Sequence, residues 1–164
     1  MTEDQSQPIA RLLAKDAIAE ALTRYCRGVD IPDLELIKSA YWPDATDDHI
    51  VFTGNAMVFA DMAVEVLKKY RSSLHFITNL AVTMRDENHA DAQSYYYVYH
   101  EHARASEDGP GTISIGAGRY LDKFERRGGE WRILARKVTS EWNETRQSEN
   151  PAQALAAESA RLRR

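Results

Sequence analysis

The sequence predicts an α+β domain: three N-terminal helices packed on a cone-shaped, curved antiparallel sheet that encloses a pocket. Three observations predict it. Apolar residues recur at spacings of three and four up to about Ser73 and alternate afterwards. The helical segments come first and the strands follow, which is the order of an α+β layer. The alternating segments are separated by short polar turns, "DENH", "SEDGPG" and "RGGE".

The elements follow in chain order. From Pro8 to Asp30 the apolar positions Ile18, Ala21, Leu22, Tyr25 and Val29 mark one face of a long helix, whose main part Asp16 can open. Pro32 interrupts it, and Asp33 can cap a short second helix ending near Trp42. "PDATDDHIVFTGN" reads as a turn and then a short strand, Ile50 to Thr53. "AMVFADMAVEVLKKYRSS" reads as a third helix with Met62, Val66 and Tyr70 on one face. Four long strands complete the sheet: "LHFITNLAVTMRD", "ADAQSYYYVYHEHARA", "TISIGAGRYLDKFER" and "WRILARKVTSEW". The chain is therefore expected to divide into a flexible N-terminus (1–9), the cone domain (10–143) and a polar tail (144–164) compatible with a helix.

At 164 residues the chain suits one domain with a core of its own. Its net charge of -4 argues against nucleic acid as the main partner, which needs clustered Lys and Arg. No stretch reaches the roughly 18 apolar residues of a membrane span. The single cysteine, Cys26, forms no internal disulfide, and "MTEDQSQPIA" has no basic region followed by an apolar run, so no signal peptide and a cytoplasmic location are expected.

Glycines crowd the stretch "GPGTISIGAG", but a strand follows rather than a helix, and no G-K-[ST] is present. A phosphate-binding loop needs a helix N-terminus there. Gly116 and Gly118 instead share one face of a strand, where they permit a bend or leave room for a ligand.

Histidine placement carries the chemical signal. His75 opens a strand after the third helix, His100 and His102 share a strand face, and His49 follows Asp47 and Asp48. An H-x-H pair with His49 or His75 could ligate a metal, but no third ligand is set by spacing, so no metal is assigned. A histidine oriented by a carboxylate makes a general base near neutral pH. Asp30 is a candidate partner for His75. Tyrosines at 95 to 97 and 99 suit core packing or a pocket for an aromatic ligand, with Tyr96 on the opposite face from its neighbours. Arg136 lies among apolar residues and requires either an acidic partner or a bound anionic group.

These residues and the element order resemble the SnoaL-like branch of the nuclear-transport-factor-2-like superfamily, over roughly Ala10 to Asn143. The stretches that carry it are "AIAEALTRYCRGVDIPDLELIKSAYWPDATDDH", "LHFITNLAVTM", "ADAQSYYYVYH" and "GRYLDKFERRGGEWRILARKV". The branch includes scytalone dehydratase, bile-acid 7α-dehydratase and hexachlorocyclohexane dehydrochlorinase, besides polyketide cyclases, steroid-isomerase-like proteins and many non-enzymes. The resemblance implies catalytic roles for His75, Asp30, Tyr25 and His100. It places Arg136, or Lys137 if the last strand is bulged, in the substrate site, where Tyr96, His49 and Gly116 are further candidates. It implies a cofactor-independent lyase, of dehydratase or formaldehyde-releasing type, acting on a small aromatic or polycyclic oxygenated molecule. An isomerase or cyclase, and a non-catalytic ligand-binding domain, are the alternatives. A homo-oligomer, dimer or trimer, is expected.

Overall fold

The structure, a computed structural model, describes residues 6–103 and 110–148. Nine elements follow in order: α1 (Ser6–Asp30), α2 (Leu34–Ser39), β1 (Tyr41–Asp48), β2 (Thr53–Asn55), α3 (Ala56–Leu67), β3 (Tyr70–Met84), β4 (His89–His102), β5 (Gly111–Arg127) and β6 (Glu130–Ser148). The strands form one curved, unclosed sheet in the order β2-β1-β6-β5-β4-β3, and the helices pack on it. The predicted α+β class therefore holds. One pairing departs from the antiparallel expectation: β1 runs parallel to β6.

Local chemistry explains most boundaries. Asp33 caps α2 by accepting from the Leu36 N–H at 3.0 Å. Asn55 caps α3 by accepting from the Met57 N–H at 2.8 Å. The β5–β6 hairpin turns on Gly128 and Gly129, both at positive φ (60° and 92°), which a two-residue hairpin loop of this kind demands. At Gly118 the β5–β6 register shifts, and an added Cβ would lie 1.8 Å from the Thr139 carbonyl oxygen. The glycine thus permits a bulge that curves the sheet.

Several boundaries differ from the sequence reading. α1 begins at Ser6, ahead of both Pro8 and Asp16. α2 stops at Ser39, and "YWPDATDD" is strand β1 instead of a turn. Its polarity and Pro43 conceal it; the register with β6 shifts between Tyr41 and Thr46, so the proline falls in an irregularity of the ladder. The next strand, β2, starts at Thr53, where the expected strand ends. α3 stops at Leu67 and buries Phe59, Ala60 and Val64; Met62 and Val66 are exposed, and Tyr70 already belongs to β3. β6 continues to Ser148, because the first residues of β5, from Gly111, pair with it there. Residues 144–148 are therefore sheet rather than tail. The expected "SEDGPG" turn and the tail helix fall largely or wholly outside the described residues.

The core lies between the helices and the inner sheet face. Ile18, Leu22, Tyr25, Val29, Ile37 and Ala60 meet Tyr41, Ala92, Tyr120, Phe124 and Ile133. β4 alternates as expected: Ala90, Ala92, Ser94 and Tyr96 are buried, while Tyr95 and Tyr97 are exposed on the outer face beside Phe76 and Leu74.

Within this core sits an ion pair. Arg136 donates from Nε and Nη2 to the two carboxylate oxygens of Asp122, at 2.7 and 2.8 Å, with both side chains almost fully buried. The guanidinium carbon lies 4.1, 4.3 and 5.7 Å from the ring centroids of Tyr120, Tyr25 and Tyr41. The rings supply cation–π attraction where water is excluded.

Removing one partner leaves a buried charge uncompensated. Arg136→Ala or Asp122→Ala is expected to cost about 3–5 kcal/mol, read from urea unfolding. The double exchange Arg136→Met/Asp122→Leu is expected to cost less than the sum of the single losses.

Candidate functional site

Strand register assembles the site from residues far apart in sequence. Ser73 of β3 pairs with His100 of β4, which pairs with Ser114 of β5, which pairs with Thr145 of β6. The next inward-facing row is His75, Val98, Gly116 and Asn143. Because alternate residues share a face, both rows point to the same side of the sheet. His100 and Ser114 of the first row and all four residues of the second border a cavity of about 230 Å³, further walled by His49, Tyr96, Tyr120 and Val138. A larger hollow of about 740 Å³ lies near the other end of α1, by Arg11, Asp86 and Trp131, and contains none of these histidines.

α1 delivers Asp30 to this row. An acid at a helix C-terminus opposes the helix dipole, so its position needs local donors. It has three: His75 Nδ1 lies 2.7 Å from Oδ1, the His75 backbone N–H donates to Oδ2 at 3.1 Å, and the Ser73 hydroxyl donates to Oδ1 at 3.4 Å. With an ionised Asp30 accepting, His75 carries its proton on Nδ1 and leaves Nε2 bare.

His100 completes the group. Its Nδ1 is 3.0 Å from Ser73 Oγ, and its ring stacks on Tyr70 at 4.3 Å and meets His75 edge-on at 5.5 Å. Burial, and then the neighbouring His75, push the His100 imidazole down to about 4. It is therefore neutral near pH 7.

His49 stands at the end of β1. Its Nδ1 is 3.2 Å from Oδ1 of the buried Asp47, whose Oδ2 accepts from the Tyr41 hydroxyl at 2.8 Å. Its ring stacks on Phe59 at 4.3 Å.

Of the residues singled out in the sequence, Asp30, His75 and His100 come together, and His49, Tyr96 and Gly116 line the same cavity. Two stand elsewhere. Tyr25 does not border the cavity: it is buried between Tyr41 and Tyr120, and desolvation raises its hydroxyl well above the usual phenol range. Arg136 meets a structural acid, Asp122, which is one of the two partners the sequence reading allowed. His75 does not open its strand either, since β3 begins at Tyr70. Three contributors escaped the sequence reading: Ser73, Asp47 as a partner of His49, and Asn143. Ser73 and Asp47 each stand two residues before a pocket histidine, and that spacing was the available signal.

Among the described residues no group of three His, Cys, Asp or Glu side chains is placed to hold a metal ion. No described helix is long and apolar enough to cross a membrane.

The curved sheet with N-terminal helices packed on it is the frame of a SnoaL-like domain. The family model for that domain matches residues 10–137, and the chain belongs to the family. No curated protein matches the sequence. Among solved structures, the chain is similar to a candidate scytalone dehydratase from Novosphingobium aromaticivorans DSM 12444, with TM-score 0.74, 16% identity, and coverage of 84% of this chain and 90% of the other. It is also similar to the type-3 hexachlorocyclohexane dehydrochlorinase LinA of Novosphingobium barchaimii LL02 (TM-score 0.73, 18% identity, 85% and 94% covered). A protein of unknown function from Mycobacterium tuberculosis is similar as well (TM-score 0.70, 20% identity, 85% and 78% covered). At these identities the likeness carries the fold.

The depressed titration of His100 has a measurable consequence. An unfolded histidine titrates near 6.5. Between that value and about 4, the unfolded chain binds a proton that folded His100 does not. Stability therefore rises with pH across this window, is lost as pH falls through it, and levels off below it. His100→Gln is expected to remove this part of the slope, measured by urea unfolding of both proteins at several pH values between 4 and 7 (on the order of the window above).

Proposed function

We propose that this protein is a cofactor-independent lyase that removes water, or a comparable small group, from a largely apolar oxygenated molecule. The observation that carries the proposal is the His75–Asp30 contact of 2.7 Å at the wall of an open cavity. A ligand-binding domain without chemistry has no need of a carboxylate held by three donors behind one histidine. The dehydratase and dehydrochlorinase named among the similar structures support the same reaction class.

In this mechanism His75 Nε2 takes a proton from carbon next to a carbonyl. Asp30 holds the tautomer and stabilises the imidazolium that forms. Neutral His100 hydrogen-bonds and orients the substrate oxygen. Val98, Ile115 and Val138 give the cavity apolar walls, and Ser114 and Asn143 polar points. Its volume of about 230 Å³ suits a molecule of one or two rings better than a larger polycycle. The outer sheet face, with Phe76, Tyr97 and Trp142 exposed, is the proposed contact of a homo-oligomer.

His75→Gln and Asp30→Asn are each expected to lower kcat/KM by about a hundredfold or more, roughly 3 kcal/mol of barrier, with circular dichroism unchanged. The assay is dehydration of small aryl β-hydroxy ketones, followed by the absorbance of the conjugated product. Folded variants that retain wild-type rates would sink the proposal.

A further inference from the structure

Resting on the lyase reading above, we propose that the cavity holds a second His–Asp couple, His49–Asp47, which faces His75–Asp30 and protonates the leaving group. The sheet order β2-β1-β6-β5-β4-β3 places His75 on one edge strand and His49 at the end of β1, beside the opposite edge strand. The curl of the sheet brings both rings to one cavity. Each ring has Nδ1 on a carboxylate, at 2.7 Å for His75 and 3.2 Å for His49, so each keeps Nε2 for the cavity. The two couples act from opposite walls.

Asp47 is built to stabilise a cation. It is fully buried, and its second oxygen is occupied by the Tyr41 hydroxyl. Behind His49 stand Asp47 and Tyr41 of β1, and the Tyr41 ring in turn lies against Arg136 of β6, which Asp122 of β5 neutralises. α3 contributes the flat ring of Phe59, on which the imidazole stacks. Ile50, next in the chain, is held at a φ of 60°, a conformation β-branched residues avoid, and it too borders the cavity. Backbone strain of this kind persists where the surroundings over-determine a position. His100, the other histidine within reach, stays neutral and does not supply the proton.

The step balances without a cofactor. His75 Nε2 takes the carbon proton, and the C–H electron pair becomes the new C=C bond. The C–O bond breaks with its electron pair on oxygen, and His49 Nε2–H gives that oxygen a proton. Water leaves, His75 ends as imidazolium and His49 ends neutral, and solvent resets both. The arrangement selects β-hydroxy carbonyl compounds whose acidic C–H and hydroxyl point to opposite walls.

The test uses the full-length protein and two probes: the aldol adduct of acetone with benzaldehyde, and its acetate ester. Hydroxide needs a proton to leave; acetate does not. His49→Gln is expected to lose about a hundredfold on the alcohol and only a few fold on the ester, whereas His75→Gln loses activity on both. The fall of kcat/KM at high pH is expected for the wild type on the alcohol and absent in His49→Gln. Equal losses by His49→Gln on both probes, or none on the alcohol, would overturn the proposal. So would an imidazole NMR signal of His49 that does not titrate between about pH 5 and 9, a measurement that needs no substrate. A harmless His75→Gln would instead defeat the lyase reading itself.

Discussion

The guanidinium of Arg136 sits where four elements meet, and much of the architecture follows from keeping it paired. Asp122 binds it from the neighbouring strand β5, while Tyr25 of α1, Tyr41 of β1 and Tyr120 of β5 enclose it in aromatic rings. A buried charge is tolerated only when it is paired and well packed. The requirement draws the first helix, the irregular strand β1 and the central hairpin to one point. β1 then lies in parallel register with β6, Asp47 opposite Arg136. His49 is two residues further on. The geometry at one wall of the cavity is thus inherited from a core interaction.

The other wall depends on the end of α1. Asp30 stands where the helix dipole disfavours an acid, and its carboxylate is held by Ser73 and by two groups of His75. Positions that violate a local rule while gaining specific partners are where function is to be sought. Between the walls, glycine shapes the space. A Cβ at Gly116 would press on Asn143 and Val98, and Gly118 admits the bulge that bends β5. The sheet's curvature and the depth of the cavity are therefore one property.

The long strands were legible in the sequence because they are half-buried, and a half-buried strand must alternate. Tyr95, Tyr96 and Tyr97 divide between the two faces as that rule requires. α1 was legible from Ile18, Leu22, Tyr25 and Val29. β1 was not: Pro43, Asp44 and Asp48 obscure any alternation, and only pairing with β6 makes the segment a strand. The end of α3 is ambiguous in the sequence because helical and alternating spacings overlap through Lys68 to Ser73, and this hides Ser73 from the site. For Tyr25 the sequence shows that a tyrosine lies on the buried face of a helix but not whether its hydroxyl reaches the cavity.

By itself the sequence determined the fold class, the inward and outward faces of the long strands, and which residue types were available for proton transfer. These follow from local periodicity and from the chemistry of single side chains. Tertiary structure alone decided the pairings. Asp30 meets His75 across 45 positions, and Arg136 meets Asp122 across 14. Register, the parallel placement of β1 and the curl of the sheet set those distances, and each depends on contacts between segments remote in the chain. That is why three histidines at 49, 75 and 100, unremarkable as letters, share the wall of one cavity.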